Sequence, residues 1–159
     1  MATEIERKFL VRRDAWHADP AAGVRYRQGY LSTAPSRVVR VRVAGDRALL
    51  TVKGRSVGIA RAEFEYPIPI ADANAMLDTL CMTPLIDKVR YRVAYAGRTW
   101  EVDAFEGENA GLLLAEVELP AVDAPVELPP WAGREVSDDP RYFNANLAVH
   151  PYSAWAETP

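Results

Sequence analysis

Polar and apolar residues alternate with a period of two through most of this chain, which predicts strands. The first covers 3–12, where Glu4, Glu6 and Lys8 fall on one face and Ile5, Arg7, Phe9 and Val11 on the other. Further strands follow over 25–31, 37–44, 47–54, 60–68, 85–95, 98–105 and 112–119. Gly45-Asp46 and Ala96-Gly97 are two-residue hairpin signals between neighbouring strands. Residues 13–24 read as a loop or short helical turn, and 120–130 as irregular. The period changes to 3.6 after Asp72, a plausible N-cap, with Ala73, Met76, Leu77 and Leu80 on one helical face. Asp139 and Pro140 read as cap and first residue of a last helix over 140–148.

Splitting the strands by parity sorts the charges. Arg40 and Arg42 oppose Val39, Val41 and Val43, and Lys53 with Thr51 opposes Leu50 and Val52. Arg61, Glu63 and Glu65 oppose Ala62, Phe64 and Tyr66; Lys88, Arg90 and Arg92 oppose Val89, Tyr91 and Val93. Glu101 and Asp103 oppose Trp100 and Val102, and Glu116 with Glu118 opposes Ala115, Val117 and Leu119. A sheet with one wet face gives the same alternation. Such a face normally mixes signs, however, whereas several of these strands are purely basic or purely acidic. About eight strands in so short a chain also tend to close into a barrel, which removes sheet edges. The expected fold is therefore mainly β, with some α: an eight-stranded antiparallel barrel, apolar outside beneath a few helices and charged within.

Composition narrows the chemistry. The 159 residues suggest one domain over 1–159 with its own core. No apolar run is long enough to span a membrane. The chain enters a charged strand at once, without a signal peptide, and its single cysteine, Cys81, excludes an internal disulfide framework; both suggest the cytoplasm. A net charge of −3 gives no general attraction for nucleic acid or anionic lipid. Inside the expected barrel, eight acidic and eight basic side chains would share one lumen. Such an interior must be hydrated, paired or ligand-filled. Carboxylate clusters are the hard oxygen ligands Mg2+ and Mn2+ prefer, and clustered Arg and Lys suit phosphates. Together they point to a metal-bound polyphosphate. His17 and His150 lie outside the charged strands, Cys81 is expected on a helix, and Trp16, Trp131 and Trp155 are expected to cover outer apolar surface. Glu106 and Glu108, in a glycine-rich turn, read as solvated.

Glu4-x-Glu6-x-Lys8 resembles the N-terminal ExExK signature of the CYTH family, the triphosphate tunnel metalloenzymes. Arg40-x-Arg42, Lys53, Arg61-x-Glu63-x-Glu65, Lys88-x-Arg90, Glu101-x-Asp103 and Glu116-x-Glu118 follow in the family's order, over about residues 2–149. In particular the chain is similar to short bacterial members that hydrolyse inorganic triphosphate. The resemblance implies a tunnel holding linear triphosphate, with a C-terminal helix around Tyr142 to Leu147 plugging one end. It implies Mg2+ or Mn2+ on Glu4, Glu6, Glu116 and Glu118, with Asp103 and Glu101 as ligands or in support. Glu63 and Glu65 join that carboxylate set. Lys8, Arg40, Arg42, Lys53, Arg61, Lys88 and Arg90 become the phosphate-binding candidates. Lys88 and Tyr30 match a Lys–Tyr pair proposed to act in catalysis in some short members, so the catalytic candidates are Lys88, Tyr30, Glu63 and Glu65. The same tunnel serves thiamine triphosphate hydrolysis and class IV adenylate cyclisation, and a polyphosphate sensor without turnover is the reading of another class. Dimers are common in the family, and a homodimer is compatible with the sequence, although no stretch marks an interface.

Overall fold

The computed structural model describes residues 3–155. Nine strands form the architecture: β1 (Thr3–Val11), β2 (Val24–Ser32), β3 (Arg37–Ala44), β4 (Arg47–Gly54), β5 (Ala60–Pro67), β6 (Ile86–Tyr95), β7 (Arg98–Phe105), β8 (Leu113–Glu118) and β9 (Ala132–Glu135). Two α-helices join them, α1 (Ile70–Thr79) and α2 (Asn144–Val149). The strands are ordered β5-β4-β3-β2-β6-β7-β8-β1-β9, every pairing is antiparallel, and β1 also pairs with β5. That last pairing closes strands β1 to β8 into the expected barrel.

β1 makes closure possible by changing partners along its length. Thr3, Glu4 and Ile5 pair with β5, residues 6–10 pair with β8, and Phe9 and Val11 pair with β9. The hairpins at Gly45-Asp46 and Ala96-Gly97 form where the sequence puts them, with positive φ at Gly45 (60°), Ala96 (48°) and Gly97 (79°).

Apolar residues pack outside the barrel in two groups. Phe9, Trp100, Val102, Ala115 and Val117 form one, covered by Trp131 and Trp16. Trp16 stacks edge-on against Trp131, which stacks edge-on against Trp100. Val41 and Ala48 form the other, beneath Ala73 and Leu77 of α1. A third cluster closes one end of the barrel. There the inward parity itself turns apolar: Tyr30, Val38, Ile86, Phe105 and Leu114 meet Tyr142 and Leu147, and Trp155 stacks on Tyr142. This floor is where the C-terminal segment docks as the plug.

Three details differ from expectation. α1 starts two residues before Asp72, after Pro69, so Asp72 is a first-turn residue and not the cap. Its buried face is Ala73 and Leu77, and Leu80 is 66% exposed because the helix has ended. The C-terminal helix is broken in two. Asp139 caps a single 3-10 turn, Pro140–Tyr142, by accepting from the Arg141 amide, and α2 begins only at Asn144. β9 was not foreseen; its four residues have no alternation to read. It exists because it pairs with β1, and Gly133 allows the approach, since a Cβ there would lie 3.1 Å from the Leu10 carbonyl oxygen.

Candidate active site

Strand pairing brings the inward-facing charges together. Of the sixteen side chains assigned to the lumen, fifteen line one cavity of about 820 Å³, and Asp103 does not. Arg47 and Arg55 add two cations at its edge.

Most of the basic residues are braced by carboxylates. Lys53 Nζ lies 2.8 Å from Glu4 and 3.3 Å from Glu63. Lys8 lies 3.4 Å from Glu116, and its ammonium also donates to the Tyr142 carbonyl. Arg40 is held by Thr51 and Glu65. Burial works against the Lys8 ammonium, but Glu116, Glu6 and Asp103 outweigh it, so its pKa rises and it stays charged. Arg42 has no carboxylate partner among the described residues. Burial, Arg40 and Arg90 push it down to about 10, which leaves it a cation at neutral pH. The Nε of Arg61 and of Arg40 are buried without an acceptor. A buried guanidinium donor of this kind can serve an anion.

The carboxylates divide into two groups. Glu116 sits between Lys8 and Arg90 and, although burial opposes ionisation, these cations hold it at about 2. Glu4 is likewise buried but brought to about 2 by Lys53. Glu6 and Glu118 enter no ion pair among the described residues. Burial together with Glu116 and Glu4 raises Glu6 well above the ordinary range. Burial and Glu4 raise Glu63, and burial, Glu4 and Glu101 raise Glu118. Burial and crowded negative charge outweigh the nearby Lys8 and Lys53, which is the electrostatic condition for binding a cation. Glu4 Oε2 is also buried without accepting a well-formed hydrogen bond. Among the described residues, no three His, Cys, Asp or Glu side chains are already drawn into a coordination shell. The donor set nonetheless fits a hard divalent cation: it is all carboxylate oxygen, with Lys53 sitting against Glu4 and Glu63.

Asp103, expected as a metal ligand, is placed differently. Arg90 donates to both its oxygens at 2.7 and 2.9 Å, and Lys88 donates at 2.8 Å. Both its oxygens are engaged, and it fixes Lys88 and Arg90 on β6.

No hydrogen bond joins Lys88 to Tyr30 among the described residues. Lys88 Nζ donates to Asp103 and to Asn144 Oδ1 at 3.0 Å. The Tyr30 hydroxyl accepts from Gln28 Nε2 at 3.1 Å. Lys88 is fully buried, and burial, Arg90 and Arg42 bring it to about 7, against the pull of Asp103. Arg90 already satisfies Asp103 through two bonds, so Lys88 is not needed as its counterion.

On the inward face of β2 the sequence singled out Tyr30 but not Tyr26 or Gln28, because that face carries no charge. Tyr26, Gln28 and Tyr30 are all buried there. The Tyr26 ring has Arg90 4.8 Å, Arg42 4.9 Å and Lys88 6.0 Å from its centroid. Gln28 accepts from Arg42 Nε at 2.9 Å. The parity of 26, 28 and 30 is the signal that would have found them. Glu106 and Glu108 lie outside the cavity as expected, with Glu106 paired to Arg25 at the surface.

This cavity, enclosed by eight antiparallel strands and lined by opposed carboxylates and guanidiniums, defines the class: a barrel with a charged lumen. Residues 2–152 match the CYTH domain, and the chain belongs to that family. It is 52% identical to an inorganic triphosphatase of Acetivibrio thermocellus over 99% of this chain and 100% of that one. It is 37% identical to an inorganic triphosphatase of Nitrosomonas europaea over 92% and 97% of the two chains. A crystal structure of an inorganic triphosphatase superposes with a TM-score of 0.65 at 35% identity, covering 94% of this chain and 96% of that one.

Proposed function

We propose that this protein hydrolyses inorganic triphosphate to pyrophosphate and phosphate inside the barrel. The observation that carries the reading is the joint presence, in one cavity, of cations lacking carboxylate partners and carboxylates lacking cations. A pure anion binder gains nothing from the second group. The two triphosphatase relatives, matched along nearly their full lengths, support the same substrate.

Arg40, Arg42, Arg61, Lys53 and Lys8 bind the triphosphate oxygens, and Arg90, gripped by Asp103, supports the charge of the departing pyrophosphate. Glu4, Glu6 and Glu118, with Glu63 beside them, would hold Mg2+ or Mn2+. A divalent cation there supplies Lewis-acid neutralisation of the phosphate charge. Lys88, brought near neutrality by burial, takes the proton from water as its oxygen attacks the terminal phosphorus. The P–O bond to pyrophosphate breaks and the new phosphate keeps the oxygen. Tyr30 acts at one remove, through Gln28 and Asn144. Cys81 is a free thiol, which supports a reducing cytoplasm, and no helix of the described residues is long and apolar enough to cross a membrane.

The test is phosphate release from tripolyphosphate, thiamine triphosphate and ATP, with and without Mg2+ or Mn2+, with cyclic AMP assayed in the ATP samples. Fast, metal-dependent release from tripolyphosphate is expected, and Glu4→Gln and Glu6→Gln each abolish it while the fold remains. Full activity in both variants overturns the cation site. Preference for an organic triphosphate moves the function to another branch of the family.

A further inference from the structure

One neutral amide joins the plug to Lys88, and a second joins it to β2. Asn144, the first residue of α2, accepts from Lys88 Nζ at 3.0 Å and from Gln28 Nε2 at 3.4 Å through the same Oδ1. Gln28, fully buried on β2, accepts from Arg42 Nε through Oε1 and donates to the Tyr30 hydroxyl through Nε2. The orientation of both amides is forced by chemistry. Arg can only donate, so Gln28 must turn its oxygen to Arg42; its amino group then faces Asn144, which must present its oxygen to that group and to the Lys88 nitrogen. Gln28 is then left with its amino group for Asn144 and Tyr30. One chain of bonds thus runs from β3 through β2 to the plug and on to β6.

We propose that Asn144 is a positioning residue for Lys88, so that docking of the C-terminal plug completes the reactive end of the tunnel. This rests on the triphosphatase reading above. The amide suits the task better than a carboxylate. It fixes the Lys88 nitrogen without adding a negative charge that would hold the amine as an ammonium and oppose the substrate. Asp103 binds Lys88 from β7, the neighbouring strand, whereas Asn144 reaches it from the docked segment. The lysine is therefore held from two independently anchored sides, which fixes both its direction and its distance.

The experiment compares kcat and KM for tripolyphosphate in wild type, Asn144→Ala, Lys88→Met and the double variant. Asn144→Ala lowers kcat roughly ten- to hundredfold, the cost of a misplaced reactive group, with a smaller change in KM. In the Lys88→Met background the same substitution costs nothing further, because its effect passes through the lysine. Equal losses in both backgrounds, or no loss in either, overturn the proposal. Should Asn144→Ala fail to fold, Asn144→Asp keeps the shape and carries the same comparison. Its carboxylate holds the ammonium, so kcat falls only where Lys88 is present. A second readout is independent of turnover, namely the melting-temperature shift produced by tripolyphosphate without metal. Asn144→Ala alters that shift only where Lys88 is present, and an equal alteration in both backgrounds overturns the proposal. Wild type that leaves triphosphate intact instead overturns the functional reading, and the melting shifts then decide the role of Asn144 alone.

Discussion

Burial and two neighbouring guanidiniums set the proton affinity of Lys88, and the direction of that shift fixes a pH dependence. The amine lies at about 7, so it is an ammonium below that pH and a base above it. kcat/KM, which reports the free enzyme, should rise with pH through about 7 and level off beyond. Bound triphosphate favours the ammonium, so the corresponding limb of kcat should lie at higher pH. Lys88→Met should lower kcat about 10²–10⁴-fold and remove the limb; a limb unchanged in the variant assigns it to another group. Glu6 shifts in the other sense. Its folded pKa is raised above 4.5, so its contribution to stability is present below that value and lost as pH rises through the folded value. Metal-free Glu6→Gln should therefore melt about 2–4 °C higher than wild type at pH 8 and alike at pH 4, while losing metal-dependent turnover. At this scale the sequence showed charged groups well and neutral ones badly. Glu4, Glu6, Arg40 and Lys88 announce themselves by charge and parity. Gln28 and Asn144 do not, because an amide gains meaning only from the Arg42 and Lys88 that fold against it.

Strands were legible as elements because one face must be apolar and the other charged along each. The same parity held information that charge alone obscured. On strands β2, β3, β6, β7 and β8 the inward positions end in Tyr30, Val38, Ile86, Phe105 and Leu114, all buried in the cluster that receives the plug. Where the lumen stops being charged, the plug begins. The break at Phe143 was less legible, since Asp139-Pro140 is a sound start signal and only tertiary docking stops the turn at Tyr142. β9 had no signal of its own. Leu147 anchors α2 in the floor with no exposure. Leu147→Ala should cost about 2–5 kcal/mol in chemical denaturation, as deletion of a buried leucine does. Because it loosens the segment carrying Asn144, kcat should fall as well. A variant that loses stability and keeps full kcat would show that plug and chemistry are uncoupled.

At the scale of the whole molecule, a barrel lined with charge on its inner surface is a poor use of an interior unless something fills it. Its stability rests on the outer clusters around Trp100 and Val41 and on the apolar floor. The lumen opposes them, with Glu6, Glu63 and Glu118 each crowded against Glu4 and Arg42 beside Arg40 and Arg90. A divalent cation relieves the first conflict and a polyanion the second, so both should bind the folded state and leave the unfolded chain alone. At about one hundred times the dissociation constant, such a ligand adds about 2.7 kcal/mol. For a chain of this size that corresponds to a melting temperature about 5–10 °C higher. The measurement is best made on Lys88→Met, which should retain triphosphate and Mg2+ without consuming it. The two together should shift melting by more than the sum of their separate shifts, because each neutralises the charge that the other leaves exposed. Equal and additive shifts would place the two ligands at separate sites, and no shift would place triphosphate outside the barrel altogether.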